Sequence, residues 1–306
     1  MFREQMRYLA VQHLPVISLR TLVEHLQRGT PIPDHAIVIT IDDGYKSAWT
    51  KAWPILHEFK FPFTVFIYPQ FIGRTSALDW DEVEELVRHG VDIQCHSYTH
   101  PLLTHPPRAM NGLTYGEWLD HELLDSKRTL ETHTGKRVSV LAYPFGGYDE
   151  TIVERTRRSG YVAAVTCDDG NINHLTEPLH INRRLVYRTV RLKEFIHYFP
   201  DRELIMTDLS PRDGERIRGP IKEIRARIAN LSQVLPGSTR VLIDKLGRKA
   251  IPVPFDPKTG VIRISLPPNP KRGYYFISLF ARDRNNPSLQ REASWIFINS
   301  KNTSKT

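Results

Sequence analysis

The feature that most constrains the fold is an alternation of short apolar runs with amphipathic stretches over residues 1 to about 199. The runs are AIVITI, FTVFIYP, VDIQC, SVLAYP, YVAAVT and HINRRLVY. Between them, KSAWTKAWPILHEF, DWDEVEELVRHG, YGEWLDHELLDSKRTLETHTG and DETIVERTRRSG have helical periodicity, and three of the four end in glycine, a common helix C-cap. Strands that alternate with helices build a largely parallel sheet, so we predict an α/β barrel or a related curved sheet.

The pattern changes near residue 208 to short runs with period-two alternation, separated by turn residues. KEIRARIAN, TRVLID, VIRISL, GYYFISLFARD and ASWIFINS are predicted strands. We therefore predict an α/β domain over residues 1–208 and a small all-β sandwich over residues 209–300. The segment DPKTGVIRISLPPNPKRGYYFISLFARDRNN resembles bacterial immunoglobulin-like modules, in which a D-x-x-T-G turn and a G-x-Y strand recur. The tail SKNTSKT is predicted to be disordered.

The composition is that of a globular protein without a membrane span. The 306 residues are 40% hydrophobic and 25% charged, and no apolar stretch reaches the 18 residues that a spanning helix needs. The first residues, MFREQMRYLAVQHLPV, carry charges where a signal peptide has an apolar core. Cys95 and Cys167 are too few for a disulfide framework, and we expect both to be buried thiols.

The net charge of +8 is unevenly distributed along the chain. Residues 211–306 hold 19 Lys and Arg against 7 Asp and Glu, whereas residues 1–210 hold 23 against 27. The basic C-terminal domain is therefore expected to favour an anionic polymer or a cell-envelope surface. A solvated basic face without a partner is the open alternative.

The run AIVITI leads directly into two adjacent carboxylates, Asp42 and Asp43. So dense an apolar run is typical of a strand buried on both faces, and residues just beyond such strands line the functional face of parallel α/β folds. Neighbouring side chains point in different directions, so one carboxylate is able to bind a cation while the other takes a proton. The structural alternative is that the two aspartates cap the following helix.

A second strand, VDIQC, leads into His96 and His100, four residues apart. One helical turn after the strand puts both imidazoles on one side, and Pro101 keeps that turn short. Two imidazoles and one carboxylate form the ligand set of catalytic zinc and related divalent ions. Histidines at this spacing are common without a metal, but beside Asp42 and Asp43 they predict a metal site.

A third strand, SVLAYP, ends in a turn built from Tyr143, Pro144, Phe145 and Gly146. Proline and glycine make such a turn rigid. A rigid turn is able to present a backbone N–H toward a reacting oxygen, as an oxyanion hole requires. Taken alone, this motif indicates only a turn.

In their order and spacing the three motifs resemble the polysaccharide deacetylases, carbohydrate esterase family 4, whose catalytic part is the NodB homology domain. The first motif of that family, of the type T-F-D-D-G, corresponds to TIDDG, and its H-[ST]-x-x-H motif corresponds to HSYTH. The surrounding segments KAWPILHEFKFPFTVFI and LDWDEVEELVRHGVDIQCHSYTHPLL also resemble the family, so the likeness covers about residues 1–200. It implies a distorted (β/α) barrel for the first domain.

The resemblance implies a role for each motif residue. Asp42 is expected to act as the general base. Asp43, His96 and His100 are expected to hold a divalent cation, zinc in the first place, with cobalt, manganese or nickel as alternatives. Phe145 is expected to donate its backbone N–H to the oxyanion. The expected substrate contacts are Tyr98, Tyr143, Pro144 and Gly146.

The chain departs from the family pattern in several places. Ala142 and Phe145 stand where the common R-P-P-Y motif has arginine and tyrosine. That arginine helps to orient the base, and Arg183 or Arg184 would replace it; we assign the role to Arg184, the alternative being an exposed cationic pair. The histidine general acid has only a weak counterpart in His180. A first strand with a Y-H-x motif, which precedes FREQMRYL in many relatives, is missing, which favours a truncated N-terminus.

These motifs predict a metal-dependent hydrolase that removes N-acetyl groups from an N-acetylglucosamine-containing polysaccharide. An O-acetyl esterase or amidase acting on another acylated substrate remains open, as does a glycan-binding protein that has lost turnover. The substrate class favours an extracytoplasmic location, in the periplasm or cell envelope, although no signal peptide is visible. Glycine motifs for nucleotide phosphates and a serine nucleophile elbow are absent from the sequence, and no nucleic-acid partner is expected.

Overall fold

The computed structural model describes residues 1–108, 110, 112–172, 176–196, 198–199, 202–247 and 249–300. Its contacts divide the chain into two compact units. The first comprises Met1–Cys167, Asn173–Ile181 and Val186–Phe195, and the second comprises Asp168–Ile172, Asn182–Leu185 and Ile196–Thr306. The two units exchange short segments between residues 168 and 195, and the second unit is continuous from Ile196 onward. The predicted domain boundary at residue 208 stays a prediction. The predicted disordered tail lies outside the described residues.

Five parallel strands, in chain order, form the sheet of the first unit. They are β1 (Ile39–Ile41), β2 (Phe63–Ile67), β3 (Asp92–Cys95), β4 (Val140–Ala142) and β5 (Ala163–Val165). Every residue of β2, β4 and β5 is buried. Strands covered on both faces explain why these three sequence runs are continuously apolar rather than alternating. The three residues of β1 are only partly buried, so the prediction that AIVITI is buried on both faces is wrong. The first five of the six strands predicted in this part of the chain are confirmed.

Single-residue bridges continue the parallel pattern at both ends of this sheet. Val16 pairs with Ile37 ahead of β1, and Val165 of β5 pairs with Ile181. Parallel strands that follow one another in chain order, with helices between them, are the pattern of a (β/α) barrel. The predicted (β/α) domain is confirmed at this level. The predicted strand HINRRLVY is shorter than expected, because only Ile181 makes a bridge.

The helices begin and end at the signals that the sequence provides. They are α1 (Phe2–Val11), α2 (Leu19–Arg28), α3 (Trp53–Glu58), α4 (Trp80–Arg88), α5 (Tyr115–Asp120), α6 (Ser126–Thr134), α7 (Glu150–Arg158) and α8 (Leu192–Ile196). Asp79 closes a capping box with Glu82 at the start of α4. Asp149 caps α7 by accepting the Ile152 amide. Gly135 ends α6 in a left-handed conformation, as helix C-caps commonly do.

Two stretches that the sequence predicts as plain helices contain a π-helical turn. Ala48–Ala52 directly precedes α3, and His121–Asp125 joins α5 to α6. A π turn carries one extra residue and therefore changes which side chains face the interior, and such turns are frequent at functional sites. One of the two follows the first motif by a few residues, and the other carries a buried carboxylate that is described below.

The second unit consists of two sheets. Its strands are β6 (Arg202–Glu203), β7 (Met206–Ser210), β8 (Glu215–Ile217), β9 (Glu223–Ile228), β10 (Arg240–Ile243), β11 (Ile251–Pro252), β12 (Val261–Ser265), β13 (Gly273–Arg282) and β14 (Gln290–Asn299). One sheet has the order β11-β10-β13-β14-β6, with β8 also paired to β14, and the other has the order β12-β9-β7. The five strands predicted in this part of the chain are confirmed.

Both sheets of the second unit contribute to one apolar core. Alternate residues of β9 and β13 are buried, which matches the period-two pattern of the sequence. The largest core side chains are Tyr275, Trp295 and Phe297, and Ile224 and Ile262 come from the other sheet. The immunoglobulin-like character of this unit stays a prediction. Among the described residues, no helix combines the length and apolar composition needed to cross a membrane.

Candidate metal centre

The three sequence motifs follow three strands of the same parallel sheet, β1, β3 and β4. Asp42 and Asp43 follow β1, His96 follows β3, and the turn Pro144–Gly146 follows β4. The carboxyl ends of parallel strands meet at one edge of a sheet, which explains how motifs far apart in sequence come together. The first helical segment after β1 begins beyond Ser47, so the two aspartates do not cap a helix and the structural alternative is wrong.

The structure brings Asp43, His96 and His100 together as a ligand triad whose ligand atoms all lie within 4.8 Å of one another. Asp43 Oδ1 is 3.5 Å from His96 Nε2 and 3.4 Å from His100 Nε2. The two imidazole Nε2 atoms are 3.2 Å apart. Ligand atoms of tetrahedral zinc, with bonds of about 2.0–2.2 Å, lie about 3.4 Å from each other. The ligand triad therefore fits a cation of this size.

The orientation of His96 is set by a main-chain atom of the neighbouring strand. Its Nδ1 lies 2.7 Å from the Ala142 carbonyl oxygen at the end of β4. A carbonyl oxygen only accepts, so Nδ1 must carry the proton and donate it. In the neutral ring this leaves the Nε2 lone pair directed at the ligand triad, the arrangement by which metal-binding histidines are usually held.

His100 is favoured in its neutral form. Partial burial, with the neighbouring His96 acting in the same direction, lowers the pKa of His100 to about 4, although the Asp42 carboxylate opposes this. A metal binds imidazole only in the unprotonated form, so this shift suits the ligand role. The backbone amide of His100 donates to Ser97 Oγ at 3.0 Å, which closes the short turn between the two histidines.

Asp42 lies beside the ligand triad but is not one of its three members. Its Oδ2 is 3.9 Å from His96 Nε2, farther than the corresponding Asp43 oxygen. About a quarter of the Asp42 side chain is exposed, so water and substrate have access to this carboxylate. Two adjacent aspartates thus occupy different places, one within the ligand set and one at its edge.

Four residues of the site have a left-handed backbone conformation, which residues with side chains rarely adopt. They are Asp43 (φ 75°), Ser97 (φ 62°), His100 (φ 59°) and Phe145 (φ 58°). They make up half of the eight non-glycine residues with positive φ in the part of the chain that the structure describes. Such conformations cost about 1–2 kcal/mol each and concentrate at functional sites.

A buried glutamate that the sequence analysis missed holds the loop between the two histidines. Glu122, only 1% exposed, lies in the π-helical turn between α5 and α6. Its Oε2 accepts the backbone amides of Tyr98 and Thr99, both at 2.9 Å, and its Oε1 accepts the Thr99 hydroxyl at 2.7 Å. One carboxylate therefore satisfies three donors of the loop that carries His100.

The YPFG turn exposes one side chain and buries its neighbours. Phe145 is 62% exposed, and its ring lies 4.7 Å from the His100 ring. The turn is closed by the Gly146 amide donating to the Tyr143 carbonyl and the Gly147 amide donating to the Pro144 carbonyl, and neither bond uses the Phe145 amide. A Cβ on Gly146 (φ 68°) would lie 2.8 Å from the Cys167 backbone nitrogen, so this position requires glycine.

The predicted substrate contacts fare differently. Tyr143 is fully buried and its ring stacks on Tyr148 in the core, and its predicted contact with substrate stays a prediction. Pro144 and Gly146 are buried as well, and their predicted role stays a prediction. Tyr98 is half-buried, with its ring 4.7 Å from that of His121.

Two further predicted residues have partners of their own. Arg184 belongs to the second unit, where its Nη2 donates to Glu292 Oε2 at 3.0 Å and its guanidinium lies over the Tyr198 ring. Its assigned role in orienting Asp42 stays a prediction. The His180 ring lies 4.8 Å from the Tyr148 ring in the first unit. Neither arrangement tests the catalytic roles suggested by the sequence.

Aromatic rings that the sequence analysis did not select lie beside the ligand triad. The Tyr68 ring is 5.0 Å from His100, Phe71 stacks on Tyr68 at 5.2 Å, and Tyr45 meets Phe71 at 5.1 Å. The available signal was position: Tyr45 is the residue after the IDDG motif, and Tyr68 is the residue after β2.

Comparison with known proteins identifies the domain that carries this site. The family described as Polysaccharide deacetylase matches residues 29–164, which include the ligand triad, Asp42 and the YPFG turn. The chain is 28% identical over 137 residues to YxkH of Bacillus subtilis (strain 168), which its name assigns to the polysaccharide deacetylases. That alignment covers 45% of this chain and 46% of YxkH.

A second relative and a solved structure extend the comparison. The poly-beta-1,6-N-acetyl-D-glucosamine N-deacetylase of Escherichia coli (strain K12) is 25% identical over 228 residues, covering 63% of this chain and 34% of the relative. The chain thus spans less than half the length of either curated relative. The fold matches the Streptococcus pyogenes deacetylase PplD in complex with acetate, with a TM-score of 0.58 and 20% identity over 65% of this chain and 85% of that one. Over residues 29–164, the part of the chain that holds the ligand triad, the sequence is therefore similar to the polysaccharide deacetylase family.

Proposed function

We propose that this protein is a metal-dependent hydrolase that removes N-acetyl groups from a polymer containing N-acetylglucosamine. The observation that carries the proposal is the ligand triad of Asp43, His96 and His100 with a second carboxylate, Asp42, at its edge. The named activity of the E. coli relative supports the choice of an N-acetylated sugar polymer as substrate. Zinc is the proposed cation, because two imidazoles and one carboxylate suit it and leave a position open for substrate.

Each side chain of the site then has a defined task. Asp43, His96 and His100 would hold the cation through one carboxylate oxygen and two Nε2 atoms. When bound, the cation supplies Lewis-acid chemistry, polarising the acyl carbonyl and lowering the pKa of water. Asp42 takes the proton of the water that attacks the acetamide carbon, because its partly exposed carboxylate lies beside the ligand triad without forming its closest contacts.

The YPFG turn supplies the second part of the proposed machinery. As the acetamide carbon becomes tetrahedral, its oxygen gains negative charge, and a fixed backbone donor stabilises that charge. The Phe145 amide is the proposed donor, because the closing hydrogen bonds of the turn use the amides of Gly146 and Gly147 instead. The left-handed conformation of Phe145 fixes the direction of this part of the backbone.

Other parts of the chain support broader proposals. Action on an extracellular polymer favours an extracytoplasmic location. Residues 211–306 contain 19 basic and 7 acidic residues. The second unit is therefore proposed to contact an anionic polymer or a cell-envelope surface, and its fold is proposed to be immunoglobulin-like. Salt-dependent binding of the full chain to an anionic polymer tests the charge proposal.

The central experiment measures acetate release from N-acetylglucosamine oligomers and from acetylated xylan. Chelator-treated protein is assayed before and after addition of zinc, cobalt or manganese. We expect release from the amide-linked substrate, loss on chelation and recovery with metal. Asp42→Asn is expected to lower kcat at least about 100-fold while retaining the metal, whereas Asp43→Ala is expected to lose the metal itself. Metal content is measured for each variant by elemental analysis.

The same experiment separates the competing functions. Faster release from acetylated xylan would identify an O-acetyl esterase. Binding of oligomers without any release of acetate, even with metal added, would identify a glycan-binding protein that has lost turnover, a reading motivated by Ala142 in place of the family arginine. Full activity after complete removal of metal, or in Asp42→Asn, would refute the proposed mechanism.

A further inference from the structure

Five rings form a row that crosses the metal site, and we call it the aromatic row. In order it consists of Phe145, His100, Tyr68, Phe71 and Tyr45. Neighbouring ring centroids are separated by 4.7, 5.0, 5.2 and 5.1 Å. Contacts of this length are those of packed aromatic pairs, so the row is a continuous surface that has a metal ligand as one of its members.

The two ends of the aromatic row face solvent. Phe145 is 62% exposed and Tyr45 is 47% exposed, whereas His100, Tyr68 and Phe71 are half-buried. Large apolar side chains that stay exposed beside a site of converging polar groups are typical of ligand-binding surfaces. Phe145 belongs to the motif already assigned, but nothing in the proposed reaction uses Tyr45.

The backbone holds Tyr45 in a fixed position. The Leu78 amide donates to the Gly44 carbonyl, and the Lys46 amide donates to the Ser76 carbonyl, both at 2.9 Å. Between these bonds Tyr45 itself bridges to Ala77. A Cβ on Gly44 would lie 2.8 Å from Ile67 Cγ2, so this residue is packed closely against β2. An exposed ring on such a rigid support loses little conformational entropy on binding.

The chemistry of the row suits a sugar ring. A pyranose has an apolar C–H face and a polar rim, and tyrosine presents an apolar ring face with a hydroxyl at its edge. The other tyrosine of the row, Tyr68, adds a hydroxyl that is able to donate a hydrogen bond. The surface therefore offers both stacking and hydrogen bonding beside the ligand triad.

We propose that Tyr45, supported by Phe71, stacks on the pyranose ring adjacent to the sugar whose acetyl group is removed. This inference rests on the proposed function and deepens it, because a subsite for a neighbouring sugar makes the protein select a polymer over a single sugar. Tyr45 is thus a specificity-determining residue. It binds substrate at a distance from the reacting bond and takes no part in proton transfer.

The test compares substrates of different length on matched variants. Tyr45→Ala, Tyr45→Phe and the control Tyr187→Ala are assayed with N-acetylglucosamine and with its tetrasaccharide. The control removes an exposed aromatic ring, 63% against 47% for Tyr45, that lies outside the aromatic row. We expect Tyr45→Ala to lower kcat/KM for the tetrasaccharide about tenfold, mainly through KM, since one stacked ring contributes about that factor. The values for the single sugar, and all values of the other two variants, are expected to match the unaltered protein.

Two further measurements distinguish the loss of a sugar subsite from a purely structural effect of the substitution. Calorimetry measures tetrasaccharide affinity in the Asp42→Asn background, where substrate is not consumed, and elemental analysis measures bound metal. An unchanged tetrasaccharide affinity in Tyr45→Ala overturns the subsite while leaving the proposed function intact. Equal losses for both substrates, with loss of metal, overturn it in favour of a purely structural role. If the unaltered protein neither binds nor deacetylates the oligomer, the subsite and the proposed function fall together.

Discussion

Removal of the Glu122 carboxylate is expected to loosen the metal-binding loop from a distance. Glu122 accepts two backbone amides and one hydroxyl from Tyr98 and Thr99. Those residues lie directly before His100 in the chain. Glu122→Ala should therefore lower both the free energy of unfolding and the affinity for zinc.

The magnitude follows from the three donors that lose their acceptor. A buried donor left without a partner costs about 1–3 kcal/mol, and part of that is recovered if water enters. Three donors give a decrease of about 3–5 kcal/mol in the free energy of unfolding after allowing for the desolvation of the carboxylate itself. Glu122→Gln is expected to cost only about 1 kcal/mol, because its amide oxygen accepts the two backbone amides and its NH₂ group donates to the Thr99 hydroxyl.

Urea unfolding and calorimetric zinc titration of the full chain measure the two effects. The matched control is Glu84→Ala, the same substitution at an exposed helical position in α4, which should leave both quantities unchanged. The order expected for stability and for zinc affinity is the unaltered protein and Glu84→Ala first, then Glu122→Gln, then Glu122→Ala. If Glu122→Ala unfolds like the control and binds zinc equally well, the argument that this carboxylate holds the loop is refuted.

Two other predictions concern the turn after β4 and the thiols. Gly146→Ala should lower the free energy of unfolding by about 2–4 kcal/mol and abolish activity, because the added Cβ clashes with Cys167. The control Gly29→Ala, at a position with a similar φ but open space around it, should cost only about 1 kcal/mol. Urea unfolding measures both, and equal losses would contradict the clash argument. Burial raises the pKa of Cys95 to about 11, so little of its thiol is ionised at pH 8. At that pH a chromogenic disulfide reagent should label only the half-buried Cys167 in the native protein, and both thiols after denaturation. Equal labelling rates of the two cysteines in the native protein would contradict this.

The ligand triad could be predicted from the sequence because its members follow the ends of predicted strands. Continuous apolar runs such as FTVFI mark buried parallel strands, and the residues that follow the strands share one edge of the sheet. That rule and the chemistry of the side chains predicted a metal site made of an aspartate, His96 and His100, and the family resemblance implied that the aspartate is Asp43. The same reasoning placed the strands of the second unit, where period-two alternation marks one buried face.

Glu122 and the burial of Tyr143 were beyond sequence reasoning for different physical reasons. YGEWLDHELLDSKRTLETHTG has the periodicity of one uninterrupted helix, and nothing in it reveals the π-helical turn that faces Glu122 inward. Tyr143 stands at the point where a strand becomes a turn, so period-two alternation no longer fixes its direction. There the core position that stacks on Tyr148 decides the outcome, and that position depends on tertiary packing.

The His96–Ala142 hydrogen bond has a consequence for how the site tolerates change. The acceptor is a peptide oxygen at the end of β4, and every amino acid carries one, so substitution at position 142 alone does not delete it. The orientation of the His96 ring therefore depends on where β4 lies in the sheet and not on the identity of the side chain at position 142. A core mutation that displaces β4 would therefore turn the His96 ring without altering any side chain of the ligand triad.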